Sequence, residues 1–586
     1  MPSRQLRGEQ GRKPLDADRF RHRVDISGRV EFGARRPIQF GARRNRLIRA
    51  SAAAQLAEQG RAAEIGHAAV EQKQIETGLR ARSESRTAVG GADDFAAEFA
   101  QGRDEELQAD RIVVGDEDAR RIGEFHRTTI AARHRGKIGG PRRAGIIFGP
   151  LCGCSMTSIE ADITDLIHDG RGVAHIAGKA VFVAGALAGE RVRLRYAGKH
   201  RHYDEAVVEE VLRASPDRVE PRCKHFGTCG GCALQHLEPA AQIAAKQRAL
   251  FENFERIGKV QPETVLAPLT DSPWGYRRRA RLSAKFVEKK GRMLVGFRET
   301  NGRYVADIER CEVLHPAVGE RIAEITAMLE SLEGKREIAQ IEVSAGDNLI
   351  ALVFRHLKPL SDADTQALVA FGQTNSFAIF LQPGGIDSVA PLWPAAAQLN
   401  FELPAYAATL DFRPLDFIQV NGGMNRRMID HALALLDPQP GDRVLDLFCG
   451  LGNFTLPLAR RAAEVTGVEG EAGLVQRARD NAAKNGIANA TFHSADLAAD
   501  QRATAWAKAD YELVLLDPPR SGADALLDYL PRRSAHRIVY VSCHPASLAR
   551  DAGILVDKQG FKLKSAGVMD MFPHTAHVES IALFER

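Results

Sequence analysis

The stretch VLDLFCGLGNFT at residues 444–455 decides the fold of the region around it. Apolar residues lead into a Gly-x-Gly turn, and the helix-like run LPLARRAAE follows, which predicts a buried parallel strand, a tight turn and a helix. Gly450 and Gly452 allow the backbone to turn sharply and to approach a ligand closely. Thr455 stands where the dinucleotide fingerprint has its third glycine, which argues against NAD.

Acidic residues follow the next two strand-like runs. Glu469 lies at the end of EVTGVEG, where a carboxylate can bind ribose hydroxyls, and Asp496 follows a third possible strand. Together with the glycine turn, these strand ends indicate an S-adenosylmethionine site. For the glycine turn alone, a structural turn in an ordinary α/β domain remains the alternative.

Three reactive side chains fall at further strand ends or in the loops beside them. The run ADYELVLLDPPRSG predicts a buried strand that ends at Asp517, and RIVYVSCHP places Cys543 at the end of another. The segment MDMFPHTAHVES carries Glu579. Ligands of open α/β sheets bind at such carboxyl ends, so these residues form a candidate site. A lone buried cysteine is usually inert, but the SCHP turn places Cys543 where the apolar strand stops.

The first 155 of the 586 residues differ from the rest of the chain. They hold 26 Arg but only 3 Lys, no Trp and no Tyr, and their apolar periodicity is poor. At Met156 an ordered, β-rich pattern begins. We expect residues 1–155 to be a non-native or disordered extension and the native protein to begin at Met156. An Arg-rich transit peptide and a disordered RNA-binding arm are the alternatives.

The net charge of +5 gives no argument for nucleic-acid binding. The first 155 residues carry 29 of the 80 Lys and Arg and 21 of the 75 Asp and Glu, which leaves 51 basic and 54 acidic residues in the remainder. An RNA contact must therefore come from local basic patches. No run of 18 apolar residues occurs and no secretory signal is found, so we expect a cytoplasmic protein with no membrane partner. We also expect a monomer.

The first predicted domain spans residues 156–215. Short alternating segments separated by glycine turns predict a small five-stranded β-barrel there. Four basic residues lie together in one turn: Lys199, His200, Arg201 and His202. They could contact phosphates, although an ordinary solvated loop explains them nearly as well.

Four cysteines form a second candidate site, in a predicted α+β domain at residues 216–412. Three lie within CKHFGTCGGC and one lies in CEVLHP, and they are Cys223, Cys229, Cys232 and Cys311. Disulfides are not expected in a chain without an export signal. Four thiolates fit either zinc or a [4Fe–4S] cluster, and the spacing is neither that of a common zinc ribbon nor that of radical-SAM enzymes. We favour the [4Fe–4S] cluster over zinc and over no metal.

The densest basic cluster after residue 155 is YRRRARLS at residues 276–283. It contributes Arg277, Arg278, Arg279 and Arg281. Contact with RNA is one interpretation of these arginines, and salt bridges to acids within the same domain are the other.

The segments DPPRSG, VSCHPASLARD and MDMFPHTAHVES resemble motifs of the RNA uracil-5-methyltransferase family. The CGGC cluster and the start of the chain at Met156, which is similar to a TRAM domain (an OB-like RNA-binding module), narrow the resemblance to the branch that acts on 23S ribosomal RNA. The similarity covers residues 156–586. It implies methylation of carbon 5 of a uridine in 23S ribosomal RNA by S-adenosylmethionine, through a covalent cysteine adduct at carbon 6 of the uracil.

The resemblance also implies roles for individual residues. Cys543 is expected to be the nucleophile and Glu579 the base. Six residues are expected to surround S-adenosylmethionine or its target base, namely Gln419, Phe448, Asn453, Glu469, Asp496 and Asp517. The four clustered cysteines are expected to hold the [4Fe–4S] cluster. At the position of Asp496 the family often has asparagine.

The whole chain is therefore predicted to be multidomain, with an OB-like β-barrel, an α+β domain bearing an iron–sulfur cluster, and a Rossmann-like α/β methyltransferase domain at residues 413–586. A transfer-RNA uracil methyltransferase is the alternative from the same class, and that branch resembles only the later part of the chain. A non-catalytic RNA-binding iron–sulfur protein is the alternative from another class. It requires the positions of Cys543 and Glu579 to be accidental.

Overall fold

The computed structural model of the chain describes residues 159–586, apart from residues 168, 301 and 530–533. The predictions made for residues 1–155 lie outside the described residues. The described part contains three larger sheets and one two-stranded hairpin. None of the helices in these residues has the length and apolar character needed to cross a membrane.

Six short strands form the first sheet. They are β1 (Ile159–Asp162), β2 (Asp165–Leu166), β3 (Gly172–Ile176), β4 (Lys179–Ala184), β5 (Arg191–Lys199) and β6 (Tyr203–Arg213). Their order is β1-β5-β6-β4-β3-β2, and their inward side chains bury a small core of their own. The sequence predicted five strands. The sixth arises because the chain changes partner after β1, where the Ile163 N–H donates to the Glu190 carbonyl and the Thr164 N–H to the Val173 carbonyl.

The cysteine-rich loop follows, and a helical segment comes after it. This segment consists of α1 (Pro239–Asn253), a π-helical turn (Phe254–Gly258) and the short strand β7 (Thr264–Val265). A proline in the first turn suits α1, because its missing N–H would have no partner in the helix at that position.

A second sheet of six strands carries the middle of the chain. Its strands are β8 (Arg279–Val287), β9 (Arg292–Gly296), β10 (Ile338–Ala345), β11 (Ile350–His356), β12 (Phe377–Gln382) and β13 (Ala390–Trp393), in the order β13-β12-β11-β10-β8-β9. Its helices are α2 (Pro316–Gly319), α3 (Ile322–Ser331) and α4 (Asp362–Asn375), and a 3₁₀ turn spans Ile386–Ser388. Buried side chains of the strands and of α3 and α4 form one core, so this part is α+β as the sequence predicted. The hairpin of β14 (Leu399–Leu403) and β15 (Ala408–Phe412) follows, with the 3₁₀ turn Pro404–Tyr406 between its strands.

The last sheet has eight strands and is mostly parallel. The chain supplies β16 (Arg443–Leu447), β17 (Glu464–Glu469), β18 (Ala490–Ser494), β19 (Leu513–Leu516), β20 (Arg537–Ser542), β21 (Lys562–Met569) and β22 (Glu579–Glu585), with β7 as the eighth strand. The order is β18-β17-β16-β19-β20-β22-β21-β7, in which β22 is antiparallel to β20 and β21. The helices are α5 (Gly422–Leu436), α6 (Thr455–Ala459), α7 (Ala472–Lys484), α8 (Ala505–Lys508), α9 (Asp524–Leu527) and α10 (Pro545–Asp557).

This topology confirms the predicted Rossmann-like domain and indicates where a ligand is expected to bind. Strand β16 has β17 on one side and β19 on the other, so the strand order reverses at β16. Ligands of such sheets bind at the carboxyl ends of the strands beside this reversal. The glycine turn that follows β16 lies at that position.

The packing of the last sheet extends beyond residue 413. Helix α1 contributes Ile243 and Leu250 to a core that also contains Val568 of β21 and Leu548 of α10. The hairpin β14–β15 buries side chains in the core on the other face. The predicted boundaries at 215, 412 and 413 stay predictions, but the hydrophobic core runs across residue 412.

Candidate active site

The glycine turn after β16 has the backbone that its sequence predicts. Phe448, Gly450 and Gly452 have φ angles of 65°, 55° and 98°, in the left-handed region. A Cβ atom on Gly452 would lie 2.5 Å from a Leu456 methyl carbon, so this position needs glycine. Phe448 is not glycine, and its strained backbone is held by its N–H bond of 2.8 Å to the Val468 carbonyl.

Glu469 ends β17 and holds the glycine turn by its carboxylate. The Gly450 N–H donates to Glu469 Oε2 at 3.2 Å, and the Glu471 N–H donates to Oε1 at 3.0 Å. Glu469 is half-buried beside the turn. The structure therefore brings Phe448 and Glu469 to the same strand ends.

Asp446 is a polar residue of this region that the sequence analysis missed. It is fully buried in β16 and accepts a 2.5 Å hydrogen bond from the Thr455 hydroxyl, while its other oxygen has no partner among the described residues. Burial, opposed by the Thr455 bond and reinforced by the charges of Asp517 and Glu469, raises the pKa of Asp446 to about 7. The signal was available, because Asp446 is the one acid inside the apolar run VLDLF.

Asn453 and Gln419 are linked through a residue that the sequence analysis did not name. Asn425 at the start of α5 and Asn453 exchange two amide hydrogen bonds of 2.9 Å each. Asn425 and Gln419 both line one pocket, together with Arg278 and the hairpin residue Phe401. The second sheet and the hairpin thus contribute to the walls around the predicted cofactor residues.

Asp496 is the most exposed of the predicted cofactor residues. It follows β18, and its carboxylate accepts the Ala498 N–H at 2.9 Å, which closes a local turn. Its neighbour Ala495 donates its N–H to the Glu469 carbonyl at 3.0 Å. Asp496 therefore lies at the strand end next to Glu469, with its side chain directed into its own turn.

Cys543, Glu579 and Asp517 meet at three neighbouring strand ends. Strands β19, β20 and β22 are adjacent, and Ser542 of β20 pairs with Ser580 of β22. Continuing this antiparallel register by one residue places Cys543 opposite Glu579. Asp517 follows β19, and its N–H donates to the Leu447 carbonyl at 3.3 Å, next to the glycine turn.

The electrostatics of this group are strongly coupled. Burial, and after it the charges of Glu579 and Asp517, raise the pKa of Cys543 to about 12, and Arg520 opposes this effect. Burial and the charge of Asp517 raise the pKa of Glu579 well above its usual range. Burial and the charge of Glu469 raise the pKa of Asp517 to about 7. Such perturbed groups at one strand edge are typical of an active site.

The DPPRSG loop beside these groups is fixed by Asp551 of α10. Its carboxylate accepts the Ala523 N–H at 2.7 Å and the Tyr540 hydroxyl at 2.6 Å. A Cβ atom on Gly522, where φ is 83°, would lie 2.6 Å from this carboxylate. Within the loop, Arg520 contacts His577 at 3.1 Å. These contacts tie the loop to α10 and to β20, the strand that Cys543 follows.

The four cysteines line a single second pocket. Cys223, Cys229, Cys232 and Cys311 are half-buried free thiols. Burial raises the pKa of Cys229 to about 11 and that of Cys232 to about 12, and the neighbouring pocket cysteines add to both shifts. Within the part of the chain that the structure describes, no three His, Cys, Asp or Glu side chains stand in the geometry of a bound metal ion.

Glycines allow the cysteine loop to approach the backbone of the second sheet's edge. The Gly230 N–H donates to the Arg298 carbonyl at 2.9 Å, and a Cβ atom there would lie 3.1 Å from that oxygen. On the opposite wall, Cys311 donates its N–H to the Gly319 carbonyl at 2.9 Å. An all-sulfur donor set held in one pocket by close backbone contacts suits a metal centre that prefers thiolates.

The basic cluster at residues 277–281 is engaged within the protein. Arg278 pairs with Asp347 at 2.5 Å and Arg281 with Glu342 at 2.6 Å, while Arg279 donates to backbone carbonyls. This is the second of the two interpretations, salt bridges within the domain. Arg277 lines the four-cysteine pocket.

The predicted basic turn of the first sheet lies at its surface. All four of its residues, Lys199, His200, Arg201 and His202, are exposed. The His200 ring stacks on Tyr203 with 4.5 Å between centroids, and the Lys199 ammonium lies 5.2 Å from the centre of the Tyr196 ring. The turn therefore presents positive charge and aromatic rings together to the solvent.

The strand reversal, the glycine turn and the acidic strand ends define an S-adenosylmethionine-dependent methyltransferase of Rossmann-like fold. A relative from Xanthomonas campestris pv. campestris (strain 8004), named 23S rRNA (uracil(1939)-C(5))-methyltransferase RlmD, is 60% identical over 433 residues, which are 73% of this chain and 98% of the relative. The chain belongs to this family of RNA uracil-5-methyltransferases, which confirms the resemblance found in the sequence.

Three further comparisons agree. A relative of the same name from Stenotrophomonas maltophilia (strain R551-3) is 59% identical over 73% of this chain and 98% of its own length. The model of the tRNA (Uracil-5-)-methyltransferase family matches residues 408–586. The crystal structure of Pyrococcus abyssi tRNA (uracil-54, C5)-methyltransferase with S-adenosyl-L-homocysteine matches at a TM-score of 0.56 and 23% identity, covering 74% of this chain and all of that chain, which shows the fold.

Proposed function

We propose that this chain methylates carbon 5 of a uridine in 23S ribosomal RNA with S-adenosylmethionine as methyl donor. The chemistry proceeds through a covalent adduct between Cys543 and carbon 6 of the uracil. This chain covers 98% of the length of two relatives whose names give 23S rRNA and carbon 5 of uracil. Those names support the proposed substrate. The convergence of Cys543, Glu579 and Asp517 at neighbouring strand ends is the observation that carries the mechanism.

Carbon 5 of uracil is a weak nucleophile, and addition of Cys543 to the ring would make it more nucleophilic. Its thiolate adds to carbon 6, and the resulting enolate makes carbon 5 nucleophilic toward the methyl group of the donor. The proton on carbon 5 must then leave before the carbon–sulfur bond can break. Glu579, which continues the strand register opposite Cys543, takes this proton. The target base has to leave its stack to reach the pocket.

The raised pKa values define the protonation states of Cys543 and Glu579 before the reaction begins. With a Cys543 pKa of about 12, the thiol carries its proton near neutral pH before the RNA binds. The raised pKa of Glu579 likewise favours its neutral form in the free enzyme. Positive charge stabilises both ionised forms, and Arg520 supplies one such charge next to Cys543. The sulfonium of the methyl donor is a second positive charge, so donor binding should lower the pKa of both Cys543 and Glu579.

The methyl donor is held by six residues in this proposal: Gln419, Phe448, Asn453, Glu469, Asp496 and Asp517. Glu469 is the best supported, because its carboxylate ends β17 at the strand reversal and orders the glycine turn. Carboxylates at this position can bind the ribose hydroxyls of the donor. Asp446 acts indirectly, because it accepts a hydrogen bond from Thr455, which begins helix α6 after the glycine turn.

A [4Fe–4S] cluster held by Cys223, Cys229, Cys232 and Cys311 is the second part of the proposal. Four thiols lining one pocket without disulfides supports it. Burial makes each separate thiolate costly, whereas a bound cationic centre stabilises all of them together. Zinc is the alternative metal, and elemental analysis of protein purified without oxygen distinguishes the two.

The remaining assignments concern the first sheet and the cellular context. We propose that residues 156–215 form an OB-like, TRAM-like module whose exposed basic turn contacts RNA phosphates. Residues 216–412 would be the cluster domain and residues 413–586 the methyltransferase domain. The enzyme would act as a monomer in the cytoplasm, and light scattering on purified protein tests the first of these two statements.

Transfer of a tritiated methyl group to unmodified RNA tests the proposal. Purified 23S ribosomal RNA and purified transfer RNA, both from cells lacking the modification, are incubated separately with the full chain. Label in the ribosomal RNA alone supports the proposed substrate. Label in transfer RNA alone identifies the other branch of the family, and label in neither supports the non-catalytic alternative.

A further inference from the structure

The loop that connects β21 to β22 carries Glu579 at its end. It comprises residues 570–578, and it includes His574, whose φ angle of 65° lies in the left-handed region. A non-glycine residue keeps such a backbone only where its surroundings hold it. The contacts that hold the loop therefore affect how the chain enters β22 at Glu579, which pairs with Met569 of β21.

One buried side chain of helix α1 bonds to His574 itself. The amide oxygen of Gln242 accepts the His574 N–H at 2.9 Å. Its amide nitrogen lies 3.2 Å from His574 Nδ1, and it donates to the carbonyls of Leu234 and Leu237 at 2.9 and 2.7 Å. Burial lowers the pKa of His574 to about 4, so its ring is neutral near neutral pH.

The same loop is tied directly to the cysteine loop. The His574 carbonyl accepts the N–H groups of Ala233 and Leu234 at 2.9 and 3.0 Å. These are the two residues that immediately follow Cys232 in the chain. Gln242 thus joins three segments at one point: helix α1, the end of the cysteine loop and the loop that leads to Glu579.

Further contacts surround this junction without replacing it. Lys246, one turn along α1, forms a buried ion pair with Asp570 at 2.7 Å at the start of the loop. From the other side, the Tyr276 hydroxyl donates to the Pro573 carbonyl at 3.0 Å, and the Trp274 ring stacks on His574 with 4.0 Å between centroids. Lys246 also donates to the Phe572 carbonyl at 2.9 Å, so it holds the first residues of the loop, whereas Gln242 bonds to His574.

We propose that Gln242 is a positioning residue for methyl transfer, which couples the four-cysteine pocket to the orientation of Glu579. The proposal rests on the assignment of Glu579 as the base. Gln242 touches neither RNA nor methyl donor in this scheme, and it acts through the His574 backbone. Its loss removes the bonds to the His574 N–H and to the Leu237 carbonyl, while the Leu234 carbonyl keeps the Leu237 N–H. The strained backbone at His574 is then held only through its carbonyl and its ring, and it should shift.

The step that depends on Glu579 is removal of the carbon 5 proton. A base displaced by a fraction of an ångström slows proton removal while Cys543 can still add to carbon 6. The enzyme would therefore stall after methylation, with the RNA still attached to Cys543. A purely structural role would instead lower adduct formation and turnover together.

Gln242→Met tests this, because methionine keeps the length and helix preference of glutamine without its hydrogen bonds. We expect kcat to fall about tenfold or more, with the KM for RNA nearly unchanged. In single-turnover reactions with tritiated donor, a band carrying both RNA and label should accumulate on denaturing gels. Asn253→Leu, at the far end of α1, is the matched control, since the Asn253 amide bonds to the Ala249 carbonyl of its own helix. The control should release product as the wild type does.

The outcomes separate this proposal from the one on which it rests. If Glu579→Gln accumulates the adduct but folded Gln242→Met turns over normally, or loses adduct formation together with turnover, the positioning role is wrong. If Glu579→Gln accumulates no adduct, the assignment of the base fails first. If Gln242→Met does not fold, Trp274→Ala is the second variant, because the half-buried Trp274 ring stacks on His574 in the same loop. A normal ratio of adduct to product in Trp274→Ala overturns the proposal.

Discussion

Cys543 and the cysteines of the four-cysteine pocket are alike in exposure but differ in their neighbours. All are half-buried, and burial raises the pKa of Cys232 and of Cys543 to about 12. The charged groups beside Cys543 are the carboxylates Glu579 and Asp517 and the cation Arg520. The ionisable groups that raise the Cys232 pKa, after burial, are other cysteines of the pocket.

Burial alone therefore does not separate a nucleophile from a metal ligand. A thiol beside one cation and two carboxyl groups of raised pKa can ionise singly when a substrate and the positively charged donor arrive. Thiols whose neighbours are thiols oppose one another's ionisation, and a shared cationic centre relieves all of them at once. The following variants test whether the two sets of cysteines differ in this way.

Cys543→Ala gives the largest expected effect. Without the thiolate no enolate forms at carbon 5, so methylation and the covalent adduct should both vanish, a loss of at least about 10⁴-fold. Calorimetric binding of S-adenosylmethionine should be retained, which shows that the domain is folded. Residual methylation at a tenth of the normal rate would mean that another group attacks carbon 6.

Glu579→Gln should differ from Cys543→Ala in kind. Addition of Cys543 and methyl transfer still occur, but an amide is no useful base near neutral pH, so the carbon 5 proton stays and the adduct cannot break down. We expect turnover to fall by roughly 10²- to 10⁴-fold while a methylated protein–RNA band accumulates. Wild-type turnover without an adduct would assign the proton to His577, His574 or water.

Cys229→Ser should leave Cys543 and Glu579 intact and should act through folding. Removing one of four thiolates weakens a centre whose binding energy is coupled to folding, so iron content should fall and Tm should drop by about 5 °C or more. The brown colour expected of an iron–sulfur cluster should be lost. Stoichiometric zinc with no iron in anaerobically purified wild type would contradict the cluster, and unchanged metal content in Cys229→Ser would remove this cysteine from the ligand set.

The sequence could predict the methyltransferase domain because its signals are local. The run VLDLFCGLGNFT contains strand, turn and helix in order, and Cys543 and Glu579 each stand beside an apolar run. The same local signal explains why the four cysteines were grouped, since three lie within ten residues. Fold class and candidate residues were therefore accessible without a structure.

Long-range partners could not be predicted, because they depend on how distant segments pack. Nothing in RRRAR indicates that Arg278 meets Asp347 or that Arg281 meets Glu342. Likewise Gln242 is one amide among polar helix residues until the fold brings His574, 332 residues away, to it. The interruption between β1 and β2 was missed for the same reason, since it depends on bonds to Glu190 and Val173.

Asp517→Asn should give the smallest effect and the most direct view of the charges around Cys543. Asp517 is one of two carboxylates that raise the Cys543 pKa, and Glu579 is the larger contributor. Removing a negative charge stabilises the thiolate, so alkylation of Cys543 by iodoacetamide should begin at lower pH in Asp517→Asn and at still lower pH in Glu579→Gln. The Asp517 pKa is itself about 7, so its charge, and with it the difference from wild type, should fade as the pH falls below 7. Peptide mapping by mass spectrometry follows each cysteine separately, and Cys232 in the same metal-free sample is the internal control, whose alkylation curve should not move. Equal shifts at Cys543 and Cys232 would show that the substitution loosened the fold, and the two cysteine environments would then not be distinguished by their local charges.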